Sequence, residues 1–177
     1  MVNCEFCGSS VVLDDEVLRK AGEAGEMLDA PELIGLGRSV WLPRGVFTAT
    51  GHVRYDYGRG FWDEYHGTQD GDLVWVSVDE GDVVVQYPVD GPPPDRSAFR
   101  LGRAIDLNGL RFRCTEVDDA VAVAFRGQLP EPVAIGDRHL YANFAGPGGR
   151  IASAELWDGG AALFVGEWVD PFDVRPA

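Results

Sequence analysis

The chain is poor in most of the residue types that reactive or membrane-embedded proteins depend on. Its 177 residues include three cysteines, three histidines and two methionines, and Lys20 is the only lysine beside fourteen arginines. Three cysteines, an odd number, exclude a disulfide framework as the main support of the fold and suit a reducing cytoplasm. No apolar run approaches the length that crosses a bilayer; residues 121–125 form about the longest. The opening Met1-Val2-Asn3-Cys4 has neither a basic n-region nor an apolar stretch, so no secretory signal is expected. Positive charge is scarce as well. With 29 Asp and Glu against 15 Lys and Arg, the formal charge is −14. Phosphate backbones and anionic membrane surfaces repel such a chain, which removes nucleic-acid binding and direct membrane insertion from the first readings. Also missing are a Gly-x-Ser-x-Gly elbow, a Walker or dinucleotide glycine pattern, and any sustained helical period after residue 33.

What is present is a folded globule. A hydrophobic fraction of 45%, with 9 Phe, 5 Tyr and 5 Trp, is ample for a core. From Leu33 onward, segments rich in branched and aromatic residues alternate with turn residues: 46–50, 53–55, 73–78 and 83–87, then 110–117, 120–125, 151–157 and 162–169. Asp79-Glu80-Gly81-Asp82 is expected as a hairpin loop of about four residues, and Asp158-Gly159-Gly160 as its counterpart. Leu36-Gly37-Arg38-Ser39-Val40 matches Leu101-Gly102-Arg103-Ala104-Ile105, and Val76-Ser77-Val78-Asp79-Glu80-Gly81 echoes Ala154-Glu155-Leu156-Trp157-Asp158-Gly159. These matches indicate a divergent internal repeat. The expected fold is all-β and mostly antiparallel: two related small SH3-like or barrel-like β units in tandem, side by side or sharing strands, with an uninterrupted sandwich as the alternative. The expected units are a CxxC knuckle and linker over 1–32, a first β unit over 33–90, a Pro-rich connector over 91–99 and a second β unit over 100–177. The stretch 33–177 is expected to form one composite domain. Within 1–32, Asp14 and Asp15 are placed to cap a short helix with Val17, Leu18 and Ala21 on one face.

Several of these segments resemble one bacterial family. Leu33-Ile34-Gly35-Leu36-Gly37, residues 45–51, the run Tyr55-Asp56-Tyr57-Gly58-Arg59-Gly60-Phe61-Trp62-Asp63-Glu64-Tyr65 and Trp75 are similar to the domain of unknown function catalogued as DUF4178. In the second half, Gly127-Gln128-Leu129-Pro130, residues 136–141 and residues 163–169 are similar to its later elements. The resemblance spans about residues 33–169 and implies a β-rich domain of those limits, with no reaction attached. It also implies a zinc-ribbon-like segment ahead of the domain, carrying two CxxC knuckles where this chain has one.

That knuckle, Cys4-Glu5-Phe6-Cys7-Gly8, supplies two of the four soft ligands that zinc takes. Neither Cys114 nor His52, His66 or His139 stands at a regular spacing to complete the set, so zinc would need a second copy of the chain. The alternatives are a remnant without metal and a redox pair, which normally opens a helix where Gly8-Ser9-Ser10-Val11 does not read as one. Residues 55–66 hold the densest set of binding groups. Tyr57, Arg59, Trp62, Asp63, Glu64 and Tyr65 combine aromatic area with directed charge, either as a binding surface or as a long hairpin packed on the core. The acid pairs Asp63/Glu64, Asp118/Asp119 and Asp14/Asp15 point to opposite faces if they lie on strands, so they do not converge as a catalytic pair. Cys114 fits a buried small hydrophobe, residues 146–150 a plain loop, and the histidines surface or hydrogen-bonded positions. The leading functional expectation is a non-enzymatic scaffold that presents an aromatic–acidic surface to a protein partner or to itself. Two others stand beside it: binding of a cationic small molecule such as a polyamine, through charge and cation–π attraction, and a zinc-bridged structural dimer.

Overall fold

Strands here are specified by residues that alternate between two different environments, and the alternation decides what lies inside. The computed structural model describes residues 2–3, 9–14, 17–23, 32–92 and 94–177. Near the N-terminus, β1 (Val2–Asn3), β2 (Ser9–Asp14) and β3 (Val17–Glu23) form a three-stranded antiparallel sheet. The helix expected around Val17, Leu18 and Ala21 is therefore a strand: Leu13 opposes Leu18 and Asp14 opposes Val17. Branched residues at 11, 12 and 17 favour paired strands over a single helical turn. Cys4 and Cys7 lie outside the described residues.

The main sheet comprises β4 (Ser39–Leu42), β5 (Gly45–Asp56), β6 (Phe61–Gln69), β7 (Asp72–Asp79), β8 (Asp82–Pro88), β9 (Ala104–Leu107), β10 (Leu110–Gly127), β11 (Arg138–Ala145), β12 (Arg150–Trp157), β13 (Gly160–Val169) and β14 (Arg175–Pro176). Its order is β14-β4-β5-β6-β7-β8-β13-β12-β11-β10-β9, and a further β5–β10 pairing joins its two arms. The result is a closed antiparallel barrel of eight strands, β5-β6-β7-β8-β13-β12-β11-β10, flanked by β4, β14 and β9. Among the described residues the only helical structure is three single 3₁₀ turns, at Arg96–Ala98, Pro147–Gly149 and Pro171–Asp173. No helix is long and apolar enough to cross a membrane among these residues.

The two Leu-Gly-Arg segments make matching hydrogen bonds. Gly37 N–H donates to Ala49 and Ala49 N–H to Arg38; in the same way Gly102 N–H donates to Cys114 and Cys114 N–H to Arg103. Both glycines take positive φ, 73° and 79°, which explains why Gly stands in both copies of the Leu-Gly-Arg turn. Each half contributes four consecutive strands to the ring, and hydrogen bonding closes one shared ring through the β5–β10 and β8–β13 seams. The segments 110–117 and 120–125 are one 18-residue strand, and Asp79 pairs with Asp82 directly, so that hairpin turns on two residues and not four.

Apolar residues cluster on the outer face of the ring strands, separately in each half. The first cluster includes Phe47, Tyr65, Val74, Val76, Val83 and Val85 and is covered by Val40, Leu42, Ile34 and Val174. In the second half, Phe112, Cys114, Ala142, Phe144, Ala152, Ala154 and Leu163 pack beneath Phe99. A third cluster, Val53, Ala122, Phe125 and Leu129, fills the place where β5 meets β10. Cys114 is a buried small hydrophobe, 2% exposed. At the β8–β13 seam, a Cβ on Gly166 would run into the Val85 carbonyl oxygen. Gly166→Val is therefore expected to lower stability by about 3 kcal/mol in a urea melt, whereas Gly81→Ala, at a turn with open space around its Cβ but a φ of 98°, costs only the backbone strain of a left-handed position, about 1 kcal/mol.

Candidate functional site

The inner face of the same strands is polar. Residues two apart on one strand share a face, so Trp62 and Glu64 of β6, Ser77 and Asp79 of β7, and Gln86 of β8 look across the barrel at Tyr141 and Asn143 of β11 and at Ser153 and Glu155 of β12. Together with Glu116 and Trp168 they enclose a cavity of about 110 Å³.

Glu64 is 8% exposed, and only one of its carboxylate oxygens is served. Trp62 Nε1 donates to Oε1 at 3.0 Å and Ser77 Oγ donates to the same atom at 3.1 Å, while Gln86 Nε2 donates in turn to Ser77 Oγ at 2.8 Å. Glu64 Oε2 has no hydrogen-bond partner among the described residues. On the far wall, Glu155 stands in register opposite Tyr141, yet the Tyr141 hydroxyl turns to Glu116 Oε1 at 3.0 Å, and Asn143 Nδ2 donates to Glu116 Oε2 at 3.0 Å. Glu155 is left without a hydrogen bond among the described residues. Burial pushes the Glu155 carboxyl well up, and the nearby Glu64 and Glu131 push it further. Burial raises Glu64 too, against the pull of its two donors. Asp79, nearer solvent, is raised by burial and then by Glu80 and Glu116. Carboxylates on opposite walls, short of donors and held above their ordinary range, favour either a proton or a cation between them.

Aromatic packing shapes one side of this chamber. Tyr55, Trp62, Tyr141 and His139 form a set in which Trp62 lies 5.2 Å from Tyr55 and 5.1 Å from Tyr141, and His139 meets Tyr55 edge-on at 4.8 Å. His139 is 6% exposed, and its Nε2 has no partner among the described residues. Burial drives its pKa down from 6.5 to about 4.

The six residues singled out at 57–65 divide between environments. Trp62 and Glu64 line the chamber. Asp63 and Tyr65 face the other way, into a network on the outside of the ring. There, Arg54 grips Asp63 through Nε at 2.9 Å and Nη2 at 3.0 Å, and His52 Nε2 lies 2.8 Å from Asp63 Oδ1. Arg126 Nη2 approaches His52 Nδ1 at 3.2 Å and also bonds Glu32. Arginine can only donate, so Nδ1 is the acceptor and Nε2–H donates to Asp63. Burial pulls Asp63 upward, but the hydrogen bonds from His52 and Arg54 outweigh it and hold the carboxyl below its usual range. Tyr65 stacks on His52 with centroids 4.2 Å apart. Tyr57 and Arg59 sit at the hairpin end, where Arg59 reaches Asp118 at 3.3 Å and Glu116 at 3.8 Å, and the Tyr57 hydroxyl reaches Asp79 at 3.5 Å.

The histidines are all buried rather than at the surface: His52 at 0%, His66 at 8% and His139 at 6%. Glu155, Glu116, Ser77 and Tyr141 escaped the sequence reading because each is an ordinary residue within a strand. The usable signal was the likeness of residues 76–81 to 154–159, which aligns Glu155 with Ser77. Among the described residues, no three His, Cys, Asp or Glu side chains gather as a metal-ligand set.

The geometry defines a class: an all-β protein whose closed eight-stranded barrel encloses a small acidic chamber. The family model described as "Domain of unknown function (DUF4178)" matches residues 36–171, and the chain belongs to that family. No curated protein matches it. No solved structure matches it either.

A buried neutral histidine makes the fold sensitive to acid. Because the pKa of His139 is depressed in the folded state, its contribution is complete above about pH 6.5 and disappears as the pH falls towards 4. The stability lost through this residue is on the order of 3 kcal/mol. His139→Gln is expected to flatten the decline of urea midpoints across that window.

Proposed function

We propose that the protein is a non-enzymatic binding protein whose barrel chamber holds a small organic cation bearing an ammonium group. The observation that carries this reading is the lining. Glu64, Glu155, Glu116, Asp79 and Asp82 share the wall with Trp62, Tyr141 and Trp168, and no Lys, Arg or His belongs to it. Attraction between an ammonium and partly buried carboxylates is stronger here than in water, and ring faces add cation–π stabilisation. The acids are spread around the wall, which suits a ligand with several N–H donors better than a bare metal ion. A cavity of about 110 Å³ accepts a ligand of few heavy atoms or one end of a polyamine, whose remainder would pass the exposed rim acid Asp82. The same reading treats β4–β8 and β9–β13 as two copies of one small barrel-like unit fused face to face, an origin supported by their matched Leu-Gly-Arg turns.

Titration calorimetry, read in parallel with tryptophan fluorescence, tests the proposal. Butylamine and spermidine should give saturable binding, with butanol and butyrate inert. Glu155→Gln should weaken amine binding by at least about tenfold, since it removes a chamber carboxylate that has no hydrogen-bond partner among the described residues. Because Glu64 and Glu155 bind protons more tightly than ordinary carboxylates, the ammonium displaces protons. Affinity should therefore rise with pH until both carboxyls are ionised, with net proton release measurable from buffers of different ionisation heat. Absence of saturable heat with every amine removes the reading.

A protein partner is the second reading. It is favoured by Phe61 and Trp168, exposed at 52% and 51%, and by the Arg54 guanidinium that lies 4.3 Å over the Phe61 ring.

A further inference from the structure

The outer side of the β8–β13 seam holds a second cavity, of about 350 Å³, set between the two apolar clusters. Tyr87 and Val165, which oppose each other across the seam, form part of its lining, with Phe112 on the second-half side. The two hairpin turns that the repeat makes equivalent, β4–β5 and β9–β10, both contribute to it. The first brings Arg44; the second brings Leu107, Asn108 and Leu110. Ligand cavities form preferentially at such junctions between structural units, and this volume lies at the lower end of the usual range for small molecules.

Its charge runs against that of the chain. Arg44 and Arg150 line the cleft with Glu167 as the single acid, in a chain of formal charge −14. Arg44 uses only Nε on Glu167, at 3.0 Å, and its guanidinium lies 4.5 Å over the Tyr87 ring, so Nη1 and Nη2 make no hydrogen bond among the described residues. Arg150 opposes Glu167 in register but makes no ion pair with any described residue. An apolar floor beneath arginines with unused donors complements a ligand that has an apolar body and one anionic head. Guanidinium forks match carboxylates in particular, because both are planar and pair through two parallel hydrogen bonds.

We propose that this cleft is a binding site for an amphiphilic carboxylate, with the alkyl or aryl body over Tyr87, Val165 and Phe112 and the head group between Arg44 and Arg150. The site is independent of the acidic chamber: the two lie on opposite faces of the same seam, and they call for ligands of opposite charge.

The probe is decanoate below its micelle concentration, with decan-1-ol and decyltrimethylammonium as controls, titrated into the full chain and followed by calorimetry. One-site binding of decanoate is expected, at least about tenfold tighter than that of the alcohol or the cation. The double variant Arg44→Gln/Arg150→Gln changes only exposed side chains, and a circular dichroism spectrum checks its fold. It should bind decanoate at least about tenfold more weakly, whereas Glu155→Gln should bind it as the parent chain does. Overturning results are an absence of saturable decanoate binding, equal affinity for the alcohol, or parental affinity in the double variant. Weaker decanoate binding by Glu155→Gln would move the anion into the chamber and overturn the placement as well. Failure of the amine titrations leaves this site untouched, since the two share no lining residue.

Discussion

Everything in this molecule depends on strands that serve two interiors at once. On β7, Val74 and Val76 pack into an apolar cluster while Ser77, on the other side of the pleat, faces the chamber. On β12 the same holds for Ala152 and Ala154 against Ser153 and Glu155. A period of two therefore produces no solvent face over much of the ring. A register slip of one residue would place glutamate among phenylalanines and valine among unpaired carboxylates, a doubled penalty that fixes the pairing firmly.

This arrangement explains why an acidic, lysine-poor chain can still bury carboxylates. A conventional small barrel fills its centre with branched side chains; here the apolar volume lies outside the ring, one portion in each half. The centre, relieved of the duty of holding the fold together, holds Glu64, Gln86 and Ser153, each nine-tenths buried or more. Stabilisation comes from the flanking clusters and the seams.

Much of the architecture was legible in the sequence because the strand signals were local. Branched and aromatic runs between Gly, Asp and Asn turns located the β-segments, and the doubled Leu-Gly-Arg motif marked two turns with the same hydrogen bonds. Closure was not legible: the pairings of β5 with β10 and of β8 with β13 join segments far apart in the chain, and no composition reports such contacts. Residues 57–65 were recognised as chemically rich, but which way each points depends on register with β5 and β7. Trp62 and Glu64 turned inward while Asp63 met His52 and Arg54. The unpartnered state of Glu155 was further from view, since it follows from the choice of Tyr141 to serve Glu116.

The long strand β10 has a bearing on how the molecule comes into being. Along its 18 residues it pairs first with β9, then with β11, and finally with β5. During synthesis, β5 emerges from the ribosome well ahead of this partner, with one flank of its C-terminal half waiting unpaired. Such distant pairing makes closure slow compared with the formation of any hairpin. In the interval the nascent first half exposes an edge that can join a neighbouring chain, and chaperone dependence should track the delay in reaching residue 127.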